Sequence, residues 1–336
     1  KIYIDFLSLL KSKPKIQKTN IDLEELDVDE LNKLLVIIKP SNFRSLLKNK
    51  IKAGKLNSQI DLFLNNKGFL DNFIAKGSIK NLKAELMNGL IFTQTNFNFF
   101  ADKNDILIKN VFGNLADIKI SDGDIKLNLE KGIKLSSNFN SKFNLDEQKL
   151  DKYGKLFKKN NFSQNLKSLK ADLNNNLFLE LDETYKLKDY SYDLSGKLEK
   201  GEFQISKSIN NNFINQEIKM IYLSNLEVKT IFSPKNIDFS GKGKYSFDNL
   251  NFLNFDLNNK FKKNSINLKL GFDYKGDLEL NFINFKKRKD TIAKLFLDLE
   301  KKNNDLKINN FNFKQGKNLI EINNLIFQGQ KFISLK

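Results

Sequence analysis

The chain has 336 residues, of which 40% are apolar and 29% charged, enough to bury a core and too apolar for a disordered chain. It carries no cysteine and no histidine. That removes disulfides, thiolate metal sites, the commonest general base and the commonest metal ligand. The net charge of +17 invites a nucleic-acid reading. However, Arg44 and Arg288 are the only arginines, and bidentate recognition of phosphate and guanine favours arginine over lysine. The enrichment in Lys, Asn, Ile and Phe matches the drift of an AT-rich genome, so the charge is read as compositional drift rather than as the mark of a nucleic-acid binder. Anionic lipid headgroups would also attract such a basic surface.

In chain order, Lys1 to Leu10 reads as a strand, followed by a polar connection around Pro14. Asp29 caps a predicted helix with Leu31, Leu34, Leu35 and Ile38 at helical spacing, and Pro40 stops it. Ser41 caps a second helix, which Gly54 ends. A weaker helical signal covers Asp146 to Phe157. From Gly54 onward the pattern alternates with a period of two, giving about 18 to 22 short strands with short breaks. No secretory cleavage site follows Lys1 to Leu10, and no apolar run reaches the ~18 residues of a membrane-spanning helix. The chain reads as a piece of something longer. The expected organisation is an N-terminal strand and helix pair (1–53) followed by one continuous sheet (54–336).

Two weak repeats run through the sheet region. One is Gly-x-apolar, as in Gly54-x-Leu56, Gly113-x-Leu115 and Gly123-x-Ile125. The other is apolar-x-apolar-x-Asn-apolar, as in Ile106 to Val111, Leu306 to Phe311 and Ile320 to Leu325. In the second repeat the asparagine shifts the alternation by one residue. The side chains that follow would turn to the wrong face unless a bulge or turn absorbs the slip.

No catalytic constellation can be assembled. Asp122-Gly123-Asp124 lacks the later glutamate of a calcium loop and reads as a turn between Ile120 and Ile125. Gly196-x4-Gly201 has Glu202 where a phosphate loop needs lysine. No metal, cofactor or enzymatic activity is expected. The strongest alternation runs from Asn225 to Phe285, with a hairpin expected at Gly276. One face of its strands collects Leu226, Val228, Ile237, Phe239, Tyr245, Phe247, Ile266, Leu268, Leu270, Phe272, Leu278, Leu280 and Phe282, and Leu295, Leu297 and Leu299 extend it. Lysine, asparagine and aspartate take the other face. That greasy face is either the core of a sandwich, barrel or solenoid, or an apolar surface open to ligands.

The helix pair, then Ile51-Lys-Ala-Gly54-Lys-Leu56, Phe73 to Leu82, Ile106 to Gly113 and Asp117 to Ile125, resemble the repeated short strands of the AsmA-like family of bacterial envelope proteins, which includes TamB and YhdP. The resemblance is one of pattern and is best over Asp27 to Leu129. It implies a mainly β fold: an elongated, repetitive, curved antiparallel sheet forming a β-groove with a hydrophobic interior. It implies a periplasmic protein, anchored in the inner membrane through a segment outside this chain. The implied role is carriage of phospholipid between inner and outer membranes in outer-membrane biogenesis. The partners would be phospholipid acyl chains and the membranes or their proteins. The alternatives are a structural or adhesive β-solenoid or sandwich with a closed core, or a binder of anionic polymer through the lysine face.

Overall fold

The computed structural model of the chain describes residues 1–4, 10, 16–28, 30, 50–87, 90–154, 165–184, 186–211, 214–280, 284–329 and 331–334. Strands make up 80% of them. In chain order they are β1 (Ile2–Ile4), β2 (Lys18–Asp27), β3 (Ile51–Leu64), β4 (Leu70–Met87), β5 (Leu90–Asp102), β6 (Asp105–Leu115), β7 (Ile118–Asn128), β8 (Ile133–Asp146), β9 (Leu166–Leu181) and β10 (Leu187–Asn211). There follow β11 (Ile214–Phe232), β12 (Asn236–Ser246), β13 (Leu253–Lys262), β14 (Ser265–Lys275), β15 (Leu278–Leu280), β16 (Phe285–Lys287), β17 (Ile292–Lys302), β18 (Asp305–Gln315), β19 (Asn318–Gln328) and β20 (Lys331–Ser334). Eighteen of them belong to one sheet that is not closed, and β15 and β16 form a separate hairpin. Each described ladder is antiparallel and joins strands that follow one another along the chain, except that β14 skips the hairpin to pair with β17. This is the arrangement that short breaks between alternating runs require.

The chain divides into two compact units, Lys1–Lys142 with Asn175–Tyr190, and Phe143–Asn174 with Ser191–Lys336. In the first unit the ladders set apolar residues in rows across the strands. Ile21, Ile60, Ala75, Ala101, Ile106 and Leu127 face one another in succession, and so do Leu23, Ser58, Gly77, Phe99, Ile108 and Ile125. In the second unit α1 (Glu147–Gly154) is the one helix among the described residues, within the predicted Asp146–Phe157 stretch. The Asp146 carboxylate caps it by accepting the Lys149 N–H at 3.0 Å. Leu150 packs there with Leu145 and Leu166, flanked by Tyr153 and Phe203. The predicted helices at Asp29–Ile38 and Ser41–Lys50 lie almost wholly outside the described residues.

The asparagine repeat is explained by bulges. Asn110 (φ 56°), Asn81 (φ 52°), Gln94 (φ 51°), Asn225 (φ 49°) and Glu25 (φ 47°) take left-handed backbone inside strands, each at a register shift of its ladder. Asparagine accounts for seven of the eleven non-glycine residues with positive φ among those described, because its short polar side chain tolerates that region best. Three bulge N–H groups freed from the ladder donate to a side chain on the next strand: Glu25 to Asn57 Oδ1 (2.9 Å), Asn81 to Asn96 Oδ1 (2.9 Å) and Asn110 to Asp124 Oδ1 (3.2 Å).

The glycine repeat answers the bulges. At four of these five bulges the residue after the left-handed one is pushed over a glycine of a neighbouring strand: Leu82 over Gly54, Thr95 over Gly113, Val111 over Gly123 and Leu226 over Gly243. All four side chains are buried. A Cβ on Gly123 would stand 2.8 Å from Val111 Cβ, and one on Gly243 would stand 2.6 Å from Leu226 Cα.

Two expectations are corrected here. Asp122-Gly123-Asp124 is not a turn between two strands. It lies inside β7, with Asp122 left-handed (φ 53°) and Asp124 holding both Lys109 Nζ (2.7 Å) and the Asn110 N–H. The cue was misread because the residues that make tight turns also make bulges. Gly276 likewise does not turn a hairpin between β14 and β15; the chain leaves the main sheet there, and β14 pairs with β17.

Gly123→Ala should destabilise the protein by about 1–3 kcal/mol through overpacking against Val111. Gly271→Ala, whose Cβ would meet nothing nearer than Phe296 Cδ2 at 3.9 Å, should be neutral or slightly stabilising. Urea unfolding of the two variants checks the contrast.

Candidate functional site

Directly opposed residues of an antiparallel pair lie on the same face, so the ladders of the second unit can be read across the sheet. One row runs Phe239, Asn259, Leu268, Leu299, Ile308, Leu325. The next runs Val228, Gly241, Leu257, Leu270, Leu297, Phe311, Ile322. A third holds Phe255, Phe272, Leu295, Phe313 and Ile320, and a fourth Phe232, Ile237, Phe261 and Ile266. The register shift at Asp298/Leu299 passes over Asn309 and keeps Ile308 in its row.

Most of the predicted lining therefore comes together on one face. Leu226 joins it through its bulge beside Gly241 and Gly243, and Tyr245 touches Phe247 edge to face at 5.1 Å. Three predicted residues stand apart. Leu278 and Leu280 belong to the separate β15–β16 hairpin, and Phe282 lies outside the described residues. The strand β13, with Phe255, Leu257 and Phe261, was missed although its alternation is plain; Phe311, Phe313, Ile320 and Ile322 lie in stretches read as strands but were not assigned to the face. Asn259 is a polar member of these rows, and its Oδ1 is buried with no hydrogen-bond partner.

Burial is graded along the strands. At one end Ile237 is 39% and Phe261 38% exposed; Phe239, Leu268, Leu270 and Leu297 in the middle are half-buried; at the far end Tyr274 is 6% and Phe313 1% exposed. The β15–β16 hairpin accompanies that closed end, with Phe285 edge-on to Phe313 at 5.5 Å. Lys287 pins the hairpin. It is fully buried, and its ammonium donates to the carbonyls of Gly276 (2.8 Å), Arg288 (3.0 Å) and Thr291 (2.6 Å), 5.3 Å from the centre of the Tyr274 ring. Burial pushes the Lys287 ammonium below the usual lysine value. Burial also holds the Tyr245 and Tyr274 hydroxyls above the ordinary tyrosine value, and these donate to the carbonyls of Asp273 (2.6 Å) and Asp277 (3.0 Å).

The opposite face is charged and paired. Lys197, Glu227, Lys242 and Asp256 face one another across four strands with alternating sign, and Lys269 meets Asp298 at 3.3 Å. At the hairpin end a cavity of about 550 Å³ is lined by Tyr245 and Phe247 of the apolar face together with Asp248, Asn251, Asp277 and Asp290 among others. Its Asp248 carboxylate is committed to the local turn: it accepts from the N–H groups of Asn251 (2.8 Å) and Leu250 (2.9 Å), from the Asn251 amide (2.7 Å) and from the Ser246 hydroxyl (2.7 Å). These bonds hold it well below the usual carboxylate range and leave it a poor base. Among the described residues no three acidic side chains cluster to hold a metal ion, and no helix is long and apolar enough to cross a membrane. In comparison with known proteins, no family model, no curated protein and no solved structure matches the chain.

Two tests follow from this geometry. Lys287→Met removes the ammonium that the Gly276 and Thr291 carbonyls accept from, while the Arg288 carbonyl keeps the Thr291 N–H and hydroxyl, and should cost about 2–3 kcal/mol, read by urea unfolding. Asp248 has a folded pKa below its unfolded one, so its contribution is present above about pH 3.9 and is lost as pH falls through the folded value. Asp248→Asn should melt below the wild type at neutral pH, and the gap in melting temperature should close as the solution is acidified past that range.

Proposed function

We propose that this protein is a non-enzymatic lipid carrier of the bacterial envelope, whose apolar β-face holds phospholipid acyl chains as they pass between inner and outer membranes. The observation that carries the reading is the graded apolar face. Its rows run without a charged residue from Phe239 to Leu325 and from Val228 to Ile322, and their middle members are half-buried rather than sealed in a core. Each buried CH₂ of an acyl chain contributes about 0.8 kcal/mol wherever it lies on such a surface, so a chain can slide without specific contacts. In this reading the sheet is the curved wall of a β-groove of the AsmA-like kind, working in the periplasm. No catalytic step is assigned.

Leu268→Asp tests it. Leu268 lies between Asn259 and Leu299 in the middle of its row. A charge on a ligand-accessible face stays partly hydrated, whereas a charge in a closed core costs several kcal/mol. The variant should keep its β-sheet circular dichroism and lose photo-crosslinking of phospholipid at Phe239. Unfolding of the variant would favour a closed structural core. A folded wild-type protein that crosslinks no lipid from Phe239 or Leu268 would overturn the proposal.

A further inference from the structure

Resting on that reading, we infer that the second unit selects anionic diacyl phospholipid and holds it in one orientation, with the headgroup at the end of the face formed by the β11–β12, β13–β14 and β17–β18 turns. The two ends of the face differ in chemistry. At the turn end the apolar row finishes in Phe232, Ile237, Phe261 and Ile266, and the position facing Ile266 on β17 is a lysine, Lys301. Lys235, Lys262, Lys263 and Lys302 stand in the adjoining turns, all exposed. Among the described residues none of these five has an ion-pair partner, and the one acid of those turns, Asp305, already accepts the Gly329 N–H at 3.2 Å. The opposite end is buried under the hairpin, where Asp248, Asp277, Glu279 and Asp290 offset its lysines.

An acyl chain laid along a strand therefore finds water and positive charge at one end and the buried Tyr274 and Phe313 at the other. The strand is long enough to take it. Eight residue steps from Ile266 to Tyr274 span about 27 Å at ~3.4 Å each. Half of a ~30 Å hydrocarbon core, about 15 Å, is what one leaflet's chains occupy. Lys301 can lay its methylene stem on the apolar row while its ammonium reaches the water line. The turns set five lysine ammonium groups against one carboxylate, Asp305, so their net charge is positive and the preference is for net negative headgroups.

The test incubates the purified chain with vesicles of phosphatidylglycerol or of phosphatidylcholine, re-isolates it, and quantifies bound lipid by mass spectrometry. Wild-type protein should load phosphatidylglycerol about tenfold better at low salt, with the preference fading at high salt. The variant Lys262→Gln/Lys263→Gln/Lys301→Gln/Lys302→Gln should load both lipids equally. Equal loading by the wild type, or an unchanged preference in the variant, overturns the headgroup inference and leaves lipid carriage standing. Loading of neither lipid by folded wild-type protein overturns both.

Discussion

The structure depends on keeping an apolar face in register across strands that are too long for strict alternation. A period of two holds only while the ladder is regular, and one extra residue sends every later side chain to the wrong face. This chain absorbs the extra residue with a left-handed asparagine, glutamine or glutamate. After Asn81, Gln94, Asn110 and Asn225 it then drops the next side chain onto a glycine of the neighbouring strand, as at Asn110, Val111 and Gly123. Neither half works alone. Without the left-handed residue the register is lost; without the glycine the displaced residue meets a Cβ less than 3 Å away at Gly113, Gly123 and Gly243 and 3.3 Å away at Gly54. Bulges of this kind also bend the bulged strand and raise its twist.

The same device explains part of the burial. In the first unit Leu82, Thr95 and Val111, each the residue after a bulge, are buried alongside Leu56, Leu90, Ile120 and Ser58, whereas most members of the transverse rows are half-buried. In the second unit Leu226 is buried after its bulge, and further buried groups lie around α1 (Leu145, Leu150, Leu166) and at the end closed by the hairpin. The remaining apolar rows retain surface that an acyl chain could cover. Burial of such area contributes about 25 cal/mol per Å², which gives the proposed cargo its driving force without demanding a shaped pocket.

Charge plays a different part on each surface. The ion pairs of the polar face, such as Lys269 with Asp298 and Lys109 with Asp124, are partly exposed. Such pairs contribute at most about 1 kcal/mol each, so they position side chains more than they hold the sheet together. Lys287 is the exception. Its charge is buried and satisfied by three carbonyls rather than by a carboxylate, which fixes a hairpin in place and leaves no partner to titrate near neutral pH.

The sequence by itself determined the strand-rich character, the antiparallel neighbour-to-neighbour pairing and most of the apolar face, because these follow from alternation and short breaks. Leu268, Leu270 and Phe272 fall where alternation places them, opposite Leu299, Leu297 and Leu295. It also carried the asparagine and glycine repeats, and the need for a bulge or turn where the asparagine breaks the alternation. Only the tertiary structure decided how those repeats interlock, since which glycine lies beneath which bulge is a relation between strands. The same limit explains the errors. Asp122-Gly123 and Gly276 carry turn residues, and the residue types cannot tell a hairpin turn from a bulge within a strand or an exit from the sheet. Which ladder the chain joins next is settled by non-local pairing, as when β14 passes over Leu278 and Leu280 to meet β17. The burial gradient and the plug at Lys287 were equally beyond the sequence, because a lysine in a run of lysines gives no sign that three carbonyls converge on it.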